Sequence, residues 1–435
     1  MHGSQSLRHG FQILVSVSYI FSWRRKGSLY IHLLLPCHCS ADEAMMLEEI
    51  VEVISSRLAS MQATSFEDLV GMEAHMENIR PLLKKDFDAE VCMVGIWGMG
   101  GIGKTTIAKY LYEQLASQFP AHSFIEDVGQ ICKKVDLKCI QQQLLCDILS
   151  TKRVALMSIQ NGANLIRSRL GTLKVLFVLD GVDKVEQLHA LAKEASWFGP
   201  GSRIIITTRD RRLLDSCRVT NKYEVKCLQN EDSLKIVKNI AFAGGVPTLD
   251  GYERFAIRAS QLAQGLPLAL VAFGSFLRGA TSIDEWEDAI DTLETAPHQN
   301  IMDILRSSYT NLDLRDKTIF IRVACLFNGE PVSRVSTLLS ETKRRIKGLA
   351  EKSLIHISKD GYIDIHSLIK QMAREIVVEE SLYIPRQQRI LWDPHNSYGV
   401  LESKTVSILG TTCFLFFHRT CLIWFLLVLL FVYAK

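Results

Sequence analysis

No two of the eleven cysteines form a C-x-x-C pair, and their spacing follows no pattern. Cys37 and Cys39 flank His38, but no second pair of ligands stands at zinc-finger distance from them. Neither a disulfide frame nor a structural metal site is therefore expected, and free thiols in a reducing cytoplasm are the plain reading. Charge of one sign is lacking too: 50 Lys and Arg face 47 Asp and Glu, a net charge of +3 that does not point to nucleic acid. Internal repeats are absent. The short apolar stretch FQILVSVSYIFS (11–22) has a weak basic region before it and no good cleavage site after it, which argues against secretion.

Long apolar runs are confined to one place. TCLIWFLLVLLFVY (420–433) is apolar throughout, but as a helix it spans about 21 Å against a bilayer core of about 30 Å. Extending it back to Cys413 gives the length and brings in His418 and Arg419. A central Arg costs roughly 2.5–3.5 kcal/mol and each Leu or Phe returns about 0.3–0.6, so insertion of 413–433 as a membrane anchor stays open. The other reading is an unstructured end left by a truncated reading frame.

What is present is ample: 435 residues, 48% apolar and 22% charged, enough for two to four domains with sizeable cores. From about 66 to 230 short β-rich runs alternate with helical patterns. The runs are VCMVGIW (91–97), SFIEDV (123–128), KVLFVLD (174–180) and SRIIITT (202–208), with KYEVKCL (222–228) closing the series. TTIAKYLYEQLASQF (105–119) repeats Ile107, Leu111 and Leu115 at helical spacing. Near-continuous apolar strands separated by helices predict an α/β fold with a parallel sheet covered on both faces. Helices follow over 231–305, where Ser282 caps a helix with Glu285 three residues on. Residues 306–385 predict further helices and a hairpin in LIHISKDGYIDIH (354–366), turning at Asp360-Gly361. The expected division is thus 1–45, 46–230, 231–305, 306–385 and 386–435.

GMGGIGKT (98–105) matches G-x-x-x-x-G-K-[ST] between a strand and a helix. In such a loop Gly98, Gly100, Gly101 and Gly103 let backbone N–H groups face phosphate oxygens, aided by the helix N-terminus and the following Thr106. Lys104 would pair with the β- and γ-phosphates, and the Thr105 hydroxyl would bind magnesium. Asp180, ending a buried strand, would hold magnesium too, usually through water; capping the following turn is its other reading. Arg209 in TTRD (207–210) ends another strand at the same sheet edge and would sense a γ-phosphate or else form a surface ion pair. Many nucleotide hydrolases carry a second acid directly after the first. Here that position is Gly181.

In this order DLVGMEAHMENI (68–79), GIWGMGGIGKTTIAKYLY (95–112), KVLFVLDGVD (174–183), GSRIIITTRD (201–210), GLPLAL (265–270), IFIRVACLFNG (319–329) and IHSLIKQMAREIV (365–377) resemble the NB-ARC region of plant disease-resistance NLR proteins. The likeness covers roughly 45 to 400 and is greatest to the class with a TIR domain ahead of NB-ARC. It implies a P-loop NTPase sheet, an all-α helical subdomain and a winged-helix subdomain that close over ADP or ATP with magnesium. By the same resemblance Val70 and Gly71 would border adenine, Pro267 would pack on the base, and His366 would reach the β-phosphate and lock the closed state. Without it, GLPLAL reads as a helix start with a core face and His366 as a half-buried histidine. The basic KRRIKG (343–348) reads as a solvated helix end, so no nucleic-acid partner is expected.

Two departures from the family pattern bear on mechanism. Gly181 cannot position or activate a water, help that typically contributes about 10²–10⁴-fold, and Asp183 need not point the same way. Slow turnover is therefore expected, testable by comparing Gly181→Asp with the parent. The usual Met-His-Asp reads Ile365-His366-Ser367, which implies a less tightly held ADP state. No stretch before 45 resembles a TIR domain, so NAD cleavage is not expected, and no leucine-rich repeat pattern follows LWDPHNSYGVLE (391–402). The leading expectation is a defence-signalling switch that self-associates or meets other immune-receptor proteins; a non-signalling, membrane-tethered decoy and an ordinary turnover ATPase are the alternatives.

Overall fold

Apolar residues crowd the middle strands so densely that both faces of the sheet must be covered, and the computed structural model places helices on each. The structure describes residues 69–381 apart from 84–89, 150, 152–153, 243–250, 279, 281 and 296–297, together with residue 390 and the short strands 24–25 and 28–29. The chain falls into two compact units, Met1–Asp68 and Leu69–Lys435. In the first, Arg24–Arg25 pairs antiparallel with Ser28–Leu29. The apolar stretch 11–22, Cys37, His38, Cys39 and the tail 413–433 lie outside the described residues. Among the described residues no helix is long and apolar enough to cross a membrane, and Cys132, Cys139, Cys146, Cys217 and Cys227 are free.

The second unit opens with helix α1 (Met72–Leu83) and strand β1 (Cys92–Trp97), then α2 (Lys104–Leu115) and β2 (Ala121–Ile125). Helices α3 (Val128–Lys134), α4 (Leu137–Leu149) and α5 (Ile159–Leu170) lead to β3 (Val175–Val182). After α6 (Val185–Leu191) come β4 (Arg203–Thr208), α7 (Arg211–Ser216) and β5 (Asn221–Glu224). The sheet is parallel throughout, in the order β2-β3-β4-β1-β5. Strand alternation divides the core: Leu176, Val178 and Ile205 face α1 and α2, whereas Phe177, Leu179, Ile204 and Ile206 face α4 and α5.

Several element ends differ from the sequence reading. β2 stops at Ile125, because Asp127 turns into the left-handed region at φ 50 and starts α3. α2 gives way to a 3-10 turn at 116–118, and β5 ends at Glu224. β4 stands between the strand carrying Asp180 and the phosphate-loop strand.

Four helices follow, α8 (Asn230–Ala241), α9 (Glu253–Ala263), α10 (Pro267–Leu277) and α11 (Ile283–Thr295). They close around Trp286, which is fully buried, stacks on Phe242 at 5.4 Å and donates its indole N–H to the Ala280 carbonyl at 3.1 Å. Ser282 accepts from the Glu285 amide, as its capping role requires. The division expected at 305/306 falls inside α12 (Gln299–Thr310). Then come α13 (Leu314–Leu326), α14 (Val332–Leu338), α15 (Lys343–Glu351), the hairpin β6 (His356–Ile357) and β7 (Ile363–Asp364), and α16 (Ser367–Glu380). Gly361 takes φ 83 in the hairpin turn.

Candidate functional site

Gly101 and Gly103 sit at φ 78 and 95 in the loop between β1 and α2, backbone positions that L side chains rarely adopt. At Gly101 a Cβ would also come within 2.7 Å of Leu268, so the loop and the start of α10 approach too closely for any other residue. The Leu268 N–H donates to the Gly101 carbonyl at 3.2 Å. Lys104 is 8% exposed, and its Nζ donates to the carbonyls of Gly98 at 2.9 Å and Met99 at 2.7 Å. Burial, reinforced by the nearby Arg209 guanidinium and opposed by Asp180, brings the Lys104 ammonium down to about 7.

Asp180 is buried at the sheet edge. The Thr105 hydroxyl donates to its two oxygens at 2.9 and 3.0 Å, and the Thr207 hydroxyl donates to Oδ1 at 2.6 Å while accepting the Gly181 N–H at 2.8 Å. Thr105 and Asp180 are hard oxygen donors, the kind magnesium prefers. Among the described residues no cluster of three His, Cys, Asp or Glu is close enough to hold a metal alone. That fits magnesium, which keeps several waters and relies on substrate phosphates beside one or two carboxylates. The β3–β4 register shifts between Leu179 and Val182, and Gly181 occupies this bulge at φ 67.

Arg209 lies over the loop, where a Cβ added at Gly100 would come within 3.2 Å of its Nη1. It donates to the Ile304 carbonyl at 2.8 Å and to the Ser307 hydroxyl, both on α12, and its own carbonyl accepts from the Ser353 hydroxyl at 2.9 Å. Burial lowers its pKa, against the pull of Asp127, Asp183 and Asp180. A cavity of about 670 Å³ opens beside these groups. Gly101, Gly103, Lys104, Thr105 and Thr106 border it on one side and Asp127, Asp180, Gly181 and Arg209 on another. Pro267 and Leu268 close it from α10, and Ser307 from α12 with Asn311 at its end.

Gly98, Gly100, Val70, Gly71 and His366 do not line that cavity. Gly71 sits at φ 78 ahead of α1, where a Cβ would come within 2.7 Å of Leu228 and 3.3 Å of an Asp232 carboxylate oxygen. Leu228 in turn donates its N–H to the Gly265 carbonyl at 2.9 Å. His366 faces the residue before that glycine: its Nε2 lies 3.3 Å from the Gln264 carbonyl, and the Ser367 N–H donates to Gln264 Oε1 at 3.0 Å. His366 Nδ1 accepts the Leu368 N–H at 3.2 Å, which places the ring proton on Nε2. Burial lowers the His366 pKa and favours this neutral form. Gly71 and His366 therefore belong to one run of contacts through Leu228, Gly265 and Gln264, whereas Pro267 lines the cavity with Asp180 and Arg209.

Asp127 and Gln264 were missed in the sequence. Asp127 carried the same signal as Asp180, an acid just past the end of an apolar strand, whereas nothing local marked Gln264.

Two family models match the chain: NB-ARC domain over residues 72–246, and disease resistance protein Roq1-like, winged-helix domain over 313–381. The disease resistance protein RUN1 of Vitis rotundifolia is 37% identical over 356 residues, covering 81% of this chain and 26% of its own length. The disease resistance protein RPP5 of Arabidopsis thaliana is 36% identical over 367 residues, covering 84% of this chain and 25% of its own. The chain thus spans about a quarter of the length of these relatives. A solved Walker-type ATPase of Pyrococcus abyssi overlays with a TM-score of 0.46 at 15% identity, covering 71% of this chain and 97% of that one.

Proposed function

The chain carries the NB-ARC nucleotide-binding domain and the Roq1-like winged-helix domain of plant disease-resistance proteins, and from that premise we propose that it is an adenine-nucleotide switch in defence signalling. ADP holds the closed packing, ATP with magnesium favours an opened one, and hydrolysis between them is slow. The observation that carries this reading is the hold of both helical parts on the phosphate loop's surroundings. Leu268 bonds Gly101, α12 receives Arg209, and the start of α16 bonds Gln264.

A ligand moves such an equilibrium only through different affinities for the two states. Lys104 and the loop amides bind diphosphate and triphosphate alike. Arg209 distinguishes them, since its guanidinium serves either α12 or a γ-phosphate. When bound, magnesium would be held by Thr105 and Asp180 and would neutralise phosphate charge. Val70, Gly71 and Pro267 are proposed to border the adenine, with His366 reporting closure through Gln264. In the opened state self-association, or association with other immune-receptor proteins in the cytoplasm, follows from the newly uncovered surfaces.

The test is to purify the full chain, denature it and identify the released nucleotide. ADP or ATP is expected in the parent, and Lys104→Ala should abolish retention. A parent with no affinity for either nucleotide in the presence of magnesium sinks the reading.

A further inference from the structure

We propose that Asp127, in the turn just after β2, supplies the water-positioning carboxylate that position 181 does not, so that the site keeps a hydrolytic step despite its glycine. This rests on the nucleotide-switch reading above and concerns how that site turns over.

Geometry singles out Asp127. Gly181 lies in the β3 bulge, and a Cβ built there would be 3.2 Å from Asp127 Oδ1 and 3.3 Å from its Cα. The space in which a side chain at 181 would begin is thus crowded by a carboxylate from the turn after the adjacent strand. Asp127 borders the same cavity as Lys104, Thr105, Asp180 and Arg209, and β2 pairs directly with β3. Its left-handed backbone at φ 50 fixes this placement, and its carbonyl accepts the Gln130 and Ile131 amides at the start of α3.

The other nearby acids are otherwise engaged. Asp183 accepts from Gln187 Nε2 at 2.8 Å, and its own N–H donates to Gln187 Oε1 at 3.0 Å. Glu126 pairs with Lys109 at 2.6 Å. Asp180 is held by two hydroxyls.

In the step assigned to Asp127, the water oxygen forms a bond to the γ-phosphorus while the bond from that phosphorus to the bridging oxygen breaks. The electron pair leaves with the diphosphate, and the water's proton passes to the carboxylate and then to the released phosphate.

Asp127→Asn in the full chain is the test, because Asn is among the residues most tolerant of the left-handed region. Three quantities are measured: affinity for ATP with magnesium, the single-turnover hydrolysis rate, and the nucleotide that co-purifies. The variant should bind ATP as the parent does, hydrolyse it about 10²-fold or more slowly, and retain ATP in place of ADP. Asp127→Glu should recover part of the rate. Equal hydrolysis by parent and Asp127→Asn, both with ATP bound, overturns the assignment, as does a parent that binds ATP and never turns it over. A parent that binds no nucleotide at all refutes the switch reading itself.

Discussion

The Lys104 ammonium is enclosed by carbonyls of its own loop, and burial has brought it down to about 7, so part of the protein carries a neutral lysine at mildly alkaline pH. A polyphosphate restores its charge, and binding above pH 7 must therefore take up a proton. The apparent affinity for ATP should fall as pH rises from 7 towards the ordinary lysine range. Calorimetry at pH 8 in buffers of different ionisation heat reads this uptake directly; the same uptake in Lys104→Met would assign the proton elsewhere. For folding the sign is reversed, because the unfolded chain holds this proton up to about 10.5 and the nucleotide-free fold loses it near 7. Lys104 thus lowers stability below the folded pKa, and that cost disappears as pH climbs through the window. Gly181 is constrained as well. An Asp there meets both a left-handed backbone and the Asp127 carboxylate 3.2 Å from its Cβ, so Gly181→Asp should lower the melting temperature and yield no gain in hydrolysis. A faster, equally stable variant would show that the bulge relaxes.

Helix α16 depends on its cap. His366 Nδ1 accepts the Leu368 amide, and protonating the ring removes that acceptor; because burial lowers its folded pKa, the closed packing should weaken as pH falls through about 6.5. Ser367 follows as the first helical residue and contacts Gln264 through its main-chain N–H, which a substitution leaves in place. Ser367→Asp adds a negative charge at the helix N-terminus, worth about 0.3–1 kcal/mol, and should raise the melting temperature and slow ADP release. An unchanged release rate would separate the charge of this position from the lock. These elements were legible in unequal degree. The glycine loop, the buried strands and the Asp360-Gly361 turn follow from local pattern, because each requires particular residues in sequence. Asp127 and Gln264 adopt left-handed backbones without being glycine, so no punctuation announces where β2 and α9 end. The place of β4 between β1 and β3 is likewise a matter of non-local pairing. Asp180 was therefore identified from sequence, and the carboxylate beside Gly181 was not.

Across the second unit, closure runs through a few polar links laid over a continuous apolar core that joins one sheet face to the helical and winged-helix parts. The core supplies adhesion and does not discriminate between nucleotides, so the proposed switching is assigned to the links. Arg306 fixes α12 to α16 through paired bonds to Glu379 at 2.7 Å each, making these two helices move together. A pull on α12 thereby reaches the His366 end of α16. Arg209 is the point where such a pull begins, bonded to Ile304 and Ser307 on α12 and standing over Gly100. Hydrogen bonds from a charged group contribute about 1.5–3 kcal/mol, and about 1.4 kcal/mol is a factor of ten in an equilibrium. Arg209→Ala should then speed ADP release from the full chain by about tenfold or more, read by displacement of a fluorescent ADP analogue. It should also remove the preference for ATP over ADP, because the same side chain is the proposed γ-phosphate contact. Faster release with the preference intact would leave Arg209 as a fastening of the closed state and move nucleotide discrimination to Lys104 and the loop.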